Sequence, residues 1–385
     1  MTQLDHSVLA AVRRPVNAAL GLPNAYYISD AHHQAEKERV FFANWAAIGF
    51  GKDIPKAGDA MPIEFLGVPL LAVRDTDGAI NVFQNTCRHR GMILVAEKTS
   101  TRGVVRCPYH SWCYDLKGAL KTTPHVGGPG ANVHADIKRD ELSLWRVRSH
   151  VWRDVIFVNI SGTAPAFTEY AASLIERWSE FDRELHCSGD DSTFALEIRG
   201  NWKLAVENYC ESYHLPWVHP GLNSYSKLSD HYHIEEPGKY SGQGTRVYQP
   251  PIDEHGTRFT DFAGLSEKWA QAGEYIALYP NVLFGVHRDH VYAIILEPKA
   301  IDRTVETIAI YYADEEMCAP QWSAMRANNT TMWEAVFVED VFVVEGMQKG
   351  RSGPMFDGGK FSPVMDSPTH VFHHWVADQY CADQP

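Results

Sequence analysis

No apolar run in the 385 residues approaches the roughly 20 needed to span a bilayer, and there is no internal repeat or low-complexity tract, so the chain divides only by changes of pattern. Positive charge is scarce: 35 Lys and Arg stand against 48 Asp and Glu, a formal net charge of −13. Nucleic-acid binders need clustered Lys and Arg to displace counterions, so no nucleic-acid partner is expected, and an anionic membrane surface is disfavoured for the same reason. The acidic balance would suit a cationic partner, but net charge acts on solubility and steering and does not define a site. A disulfide framework is also lacking. Seven cysteines, at 87, 107, 113, 187, 210, 318 and 381, are an odd number scattered over a long chain, so reduced thiols or metal ligands are expected. No Gly-x-Gly-x-x-Gly opens a helix after a strand, so the chain is not expected to bind a nicotinamide itself. Residues 1–20 carry an early Asp5, a basic pair Arg13-Arg14 after the apolar stretch and no clear cleavage site. They do not read as a secretory signal, and a cytoplasmic location is expected.

What is present is a chain of ordinary composition, 45% hydrophobic and 22% charged, long enough for two domains that each bury a core. From about 60 to 160, short β-rich runs at 70–73, 79–83, 103–106 and 155–160 alternate with turns at Asp77-Gly78 and Lys117-Gly118. After Ser161-Gly162-Thr163-Ala164-Pro165 the pattern predicts a helix over 167–181, then strands near 194–198, 275–279, 282–286, 291–297 and 304–312, with helices near 201–215 and 329–349. The expected class is α+β: a small antiparallel β domain over 45–160, and a second domain from 1–44 and 161–385 with a larger antiparallel sheet flanked by helices.

Cys87-Arg88-His89 and Cys107-Pro108-Tyr109-His110 each pair a thiol with an imidazole beside a strand, seventeen residues apart. A finger-type zinc site would group both Cys first and both His last, on a helix. One of each per loop suits instead a cluster with one iron on two thiolates and the other on two imidazoles. Here the sequence resembles the Rieske family, with Cys87, His89, Cys107 and His110 as the implied 2Fe-2S ligands. Respiratory relatives add a disulfide across the loops; Cys113 has no counterpart in Arg90-Gly91-Met92-Ile93, so the resemblance is to the lower-potential oxygenase kind. Trp112 is placed to shield the cluster or simply to pack in the core.

In the segment 201–219, Glu211 and His214 are three apart on a helix expected to end near Leu215, before Pro216, with His219 beyond the break. Alone this could be a surface helix with satisfied histidines. Downstream, a helix over 329–350 carries the apolar stripe Trp333, Val336, Phe337, Val341, Val344, Met347, and Asp340 falls inside it. Glu339 points off one side, and Glu334 and Glu345 lie beyond the other, as ordinary solvated carboxylates. A carboxylate aimed into a core is costly unless paired or metal-bound, which favours Asp340 as the partner of His214 and His219, with Glu339 and Glu345 as competitors. Two neutral imidazoles and one carboxylate form the facial set of non-haem Fe(II) oxygenases.

Over nearly its whole length the chain resembles the α subunits of Rieske non-haem iron oxygenases. That resemblance implies a mononuclear Fe(2+) on His214, His219 and Asp340, and a homotrimer in which Glu211 bridges His110 of a neighbouring subunit to His214. It also implies electrons from NADH through a separate flavin and iron-sulfur reductase, and a small-molecule substrate with O2. Most ring-hydroxylating relatives have Asp where Glu211 stands; Glu-Ser-Tyr-His is more like the branch that oxidises carnitine and betaines. A quaternary ammonium or N-methyl substrate is therefore expected, with Trp202, Tyr209, Tyr213 and Trp217 as aromatic candidates near the iron. An aromatic ring-hydroxylating dioxygenase is the alternative, and a non-catalytic Rieske electron carrier a third.

Overall fold

The computed structural model describes residues 7–249 and 258–382. The chain forms two compact units: Ala47–Thr163, and a second made of the segments Met1–Ala46 and Ala164–Pro385.

The first unit carries a seven-stranded sheet in the order Ala46–Phe50, Val155–Asn159, Arg146–Trp152, Ile80–Gln84, Val68–Arg74, Asp59–Phe65, Thr99–Ser100, and a small three-stranded sheet of Val104–Arg106, Cys113–Asp115 and Leu120–Thr122. Two turns are built alike. In each, an aspartate accepts two backbone N–H groups, Asp75 from Asp77 and Ala79 and Asp115 from Lys117 and Ala119. Each has glycine at positive φ, 83° at Gly78 and 90° at Gly118. The strand Asp59–Phe65 escaped the sequence pattern because it contains Pro62, which cannot donate to a ladder. The structure tolerates it because Thr99–Ser100 pairs only with Asp59 and Ala60, leaving Pro62 at an open edge.

The second unit is organised on a seven-stranded antiparallel sheet, in the order Thr193–Ile198, Arg303–Tyr312, His290–Ala300, Val282–Val286, Gly273–Leu278, Tyr240–Thr245, His231–Glu236. The last two strands were not predicted. Tyr240–Thr245 contains two glycines, normally poor strand formers. Here they are required: a Cβ on Gly242 would lie 2.0 Å from the Tyr275 carbonyl oxygen, and one on Gly244 2.4 Å from the Tyr232 ring. The helix Trp202–Cys210 packs on this sheet beside Ser323–Gly350 and Ser367–Cys381. The single helix predicted over 167–181 is instead Phe167–Tyr170, Ala172–Arg177 and a 3-10 turn Ser179–Phe181, broken where Ala171 and Trp178 leave helical geometry.

The long helix starts at Ser323 rather than 329. Arg326 holds that first turn by donating to Asp191 (2.7 and 3.0 Å), and Thr330 adds a bond to the Asp191 carbonyl (2.8 Å), which offsets the low helix propensity of Asn328-Asn329. A fully buried ion pair, Glu36 with Lys203, and the bond from Tyr27 Oη to Glu207 Oε1 (2.5 Å) tie the N-terminal segment to helix Trp202–Cys210. No helix among the described residues is long and apolar enough to cross a membrane.

Candidate active site

The two Cys-His loops of the first unit are near copies. The Cys87 N–H donates to the Met92 carbonyl (2.8 Å) and the Gly91 N–H returns to the Cys87 carbonyl (3.0 Å); Cys107 repeats this with Trp112 (2.8 Å) and Ser111 (3.1 Å). Both turns need positive φ at the fourth residue after the start, 73° at Gly91 and 57° at Ser111. Thus Cys87 and Cys107 are buried while His89 and His110 lie exposed at the tips, their rings 4.7 Å apart at 71°. Trp112 is buried and stacks on His89 at 4.7 Å and 14°, so it covers the imidazole as well as packing in the core. Tyr114, which the sequence did not single out, brings its hydroxyl within 3.3 Å of Cys87 Sγ. Burial pushes the Cys107 thiol up, with the neighbouring Cys87 adding to it. A buried thiolate pair is stable here only with a cation on it, so these four donors fit a mixed-ligand cluster.

In the second unit the structure corrects the helix on which Glu211 and His214 were expected to share a face. It ends at Cys210, and Glu211 is extended, with φ −121° and ψ 161°. The cause is local. Glu211 Oε2 accepts the N–H groups of Tyr213 and His214, acting as a cap, while the Glu211 carbonyl takes a bond from Gln243 Nε2 (2.9 Å). Pro216 then opens a new short helix, Leu215–Val218, rather than closing the old one.

This turn sets the imidazoles. His214 Nδ1 lies 2.6 Å from Glu211 Oε1, and His219 Nδ1 2.8 Å from Glu339 Oε2. A carboxylate only accepts, so each Nδ1 carries the hydrogen and each Nε2 keeps its lone pair. Those lone pairs converge on Asp340: Oδ1 is 2.9 Å from His219 Nε2 and 3.7 Å from His214 Nε2. Asp340 Oδ1 is nevertheless a buried oxygen with no hydrogen-bond partner. Donor atoms of His214, His219 and Asp340 all lie within 4.8 Å of one another. Three lone-pair donors crowded together without a shared hydrogen fit a divalent metal. Of the competing carboxylates, Glu345 is drawn off to Arg199 (3.1 Å). Glu339 is not merely solvated as expected; it orients His219 from outside.

Beside the triad lies a small cavity lined by Tyr209, Tyr275, Tyr292, Trp333 and Phe337, with Asn208, His231 and Gln243 among the polar groups. Of the aromatic candidates named from sequence, only Tyr209 belongs to this wall. Trp202 is buried elsewhere and donates to Glu36 (3.2 Å), while Tyr213 and Trp217 are 44% and 71% exposed. The rest of the wall was missed because Trp333 and Phe337 read as core stripe, although i, i+4, i+7 spacing puts them on one face with Asp340. Burial raises the Tyr209, Tyr275 and Tyr292 hydroxyls, which stay neutral. Behind Asp340, burial and the Asp340 charge push the carboxyl of Glu306 up to about 8.

Residues 44–146 match the family described as Rieske [2Fe-2S] domain, and residues 185–382, just over half the chain, match Ring hydroxylating alpha subunit (catalytic domain). The chain belongs to that family. It is an oxidoreductase, a Rieske non-haem iron oxygenase α subunit, whose cofactors are a 2Fe-2S cluster and a mononuclear iron. The carnitine monooxygenase oxygenase subunit of Escherichia coli K12 is 26% identical over 360 residues, 92% of this chain and 91% of the relative. Chloroplastic choline monooxygenase of Atriplex hortensis is 24% identical over 374 residues, 94% of this chain and 78% of the relative. In fold, this α subunit is similar to the quaternary ammonium Rieske monooxygenase CntA (TM-score 0.77, 20% identity, 99% of each chain). Naphthalene 1,2-dioxygenase from Rhodococcus sp. is comparable (TM-score 0.76, 19% identity, all of each chain).

Proposed function

We propose that this α subunit is the oxygenase of a two-component monooxygenase that hydroxylates or oxidatively demethylates a small quaternary ammonium or N-methyl compound. The observation that carries the reading is the aromatic wall beside the triad: a permanent cation cannot donate a hydrogen bond and is held best by ring faces. Relatives named for carnitine, choline and glycine betaine support it.

In this reading His214, His219 and Asp340 hold the ferrous iron, and Cys87, His89, Cys107 and His110 hold the cluster. When bound, the metals supply single electrons and activation of O2. Glu211 and Glu339 keep the hydrogens of His214 and His219 on Nδ1, and the apolar wall keeps water from the reacting carbon. Glu211 also links His214 to His110 of a second copy, which requires a homo-oligomer, a trimer by family likeness. One oxygen atom enters a C–H bond and the other leaves as water, using two protons and two electrons from NADH through a separate reductase. At a carbon on the cationic nitrogen, the hydroxylated product breaks its C–N bond, releasing the amine, an aldehyde and a proton. The enzyme works in the cytoplasm, where NADH is at hand.

The aromatic wall also suits an arene, so ring dihydroxylation is the second reading. Reductase-coupled O2 uptake with choline, carnitine and betaines against aromatic acids and hydrocarbons separates the two. Product from a quaternary ammonium compound is expected; oxidised product from arenes alone overturns the proposal.

A further inference from the structure

Behind the cavity a hairpin holds the aromatic wall in place, and the chemistry above leaves it unused. Between strands Val282–Val286 and His290–Ala300 the chain turns through His287, Arg288, Asp289 and His290, closed by the His287 N–H donating to the His290 carbonyl (2.9 Å). Arg288 anchors the turn, with Nε donating to Asp261 (2.8 Å) and Nη1 to the Ala270 carbonyl (2.9 Å). The two histidines are buried, and their rings stack at 4.6 Å and 17°.

His290 Nδ1 lies 2.7 Å from Asp289 Oδ1, so the hydrogen is on Nδ1 and Nε2 is an acceptor. That acceptor takes the Trp333 indole N–H at 2.9 Å. His287 Nε2 meets the Tyr275 hydroxyl at 3.1 Å. One turn therefore fixes two wall residues, Trp333 through Asp289 and His290, and Tyr275 through His287. With both nitrogens engaged, His290 is not free to act as base or ligand.

We infer that this turn is a specificity device, with Asp289 and His290 as positioning residues that fix Trp333 as the seat of the substrate's cationic head. The inference rests on the quaternary ammonium reading. An indole N–H carries the positive end of a dipole; left loose in the cavity it would repel a cation or hold water. Tied back to His290, which is itself bonded to an anion, the N–H is engaged outside the cavity that Trp333 lines, and indole is the strongest cation-binding ring. Phe337 at 5.7 Å and Tyr292 at 4.8 Å brace the indole. Trp333, Phe337 and Asp340 share one helix face, so a single rigid element carries both the seat and the triad carboxylate.

The test compares choline with 3,3-dimethylbutan-1-ol, its uncharged carbon isostere, by calorimetry on the anaerobic, metal-loaded enzyme. Wild type should bind choline at least about tenfold more tightly. No preference for the charged compound would sink the quaternary ammonium reading itself. In His290→Leu, or in Asp289→Ala should the first not fold with both metals, the preference should fall about tenfold, with the loss in KM rather than kcat. His290→Gln, which can still accept from the indole, should restore it. A His290→Leu or Asp289→Ala enzyme with full metal content and an undiminished preference overturns the positioning inference while leaving the substrate reading in place.

Discussion

The two metal-binding regions of this enzyme are built on opposite plans. In the Rieske unit two short loops, Cys87 to Met92 and Cys107 to Trp112, repeat one hydrogen-bond pattern, bury the thiols and leave the imidazoles at the surface. In the catalytic unit the donors come from two segments more than a hundred residues apart. There the imidazoles are enclosed, His219 almost completely, and each is gripped from outside by a carboxylate. An exposed imidazole edge suits a centre that passes electrons to a partner; an enclosed triad beside an apolar cavity suits a centre that must keep water from a reactive carbon. The local site depends on turn geometry, the distributed one on tertiary packing.

If the two plans are independent, the largest expected effect is Asp340→Ala. It should remove the mononuclear iron and lower turnover by at least about a thousandfold while the 2Fe-2S spectrum persists; iron analysis should fall from three to two per chain, and loss of the cluster as well would show the plans are coupled. Glu211→Gln should keep three irons and still cut turnover by roughly a hundredfold or more, because the amide cannot hold both His214 and a neighbour's imidazole as hydrogen donors; full activity would discard the bridge. Glu339→Gln should weaken Fe(2+) affinity roughly 10- to 100-fold, read by equilibrium dialysis, leaving the cluster untouched. On the local side, Tyr114→Phe removes the hydroxyl beside Cys87 and should lower the cluster's midpoint potential in a redox titration without changing Fe(2+) affinity.

The last effect concerns stability. Burial lifts Glu306 from 4.5 to about 8, so between those values the unfolded chain sheds a proton that the folded chain retains. Unfolding is then favoured as pH rises, by up to about 1.4 kcal/mol per unit within that window. Below it the penalty vanishes, and above it the penalty is constant. Iron-free Glu306→Gln should therefore show a smaller loss of urea midpoint from pH 5 to pH 8 than wild type; parallel pH profiles would show that Glu306 is ionised in the folded enzyme.

The same contrast governed what could be read from sequence. The pairing of the Cys87-His89 loop with the Cys107-His110 loop was legible because each loop is contiguous and its residue order chemically distinctive. The grouping of His214, His219 and Asp340 was also legible, through the cost of an inward carboxylate. The reason expected for Glu211 meeting His214 was not the true one: a side chain that caps its own following turn overrode the helical pattern, and Pro216 opened a helix instead of ending one. Glu339 looked solvated because nothing in its helix announces an imidazole arriving from 120 residues away. Strand Tyr240–Thr245 was invisible because its glycines are demanded by a neighbouring strand's carbonyl and a tyrosine ring, information that exists only after folding.

The insertion of Ala47–Thr163 into a unit completed by the segments on either side has a consequence for biogenesis. A ribosome finishes the cluster-bearing unit while the first segment is still waiting: Glu36 meets Lys203, and Tyr27 meets Glu207, only after the later helix emerges. Sulfur-cluster loading can thus precede the existence of the iron pocket. Until Lys203 arrives, Glu36 stays hydrated, and its burial as half of an ion pair marks the moment at which the second unit closes.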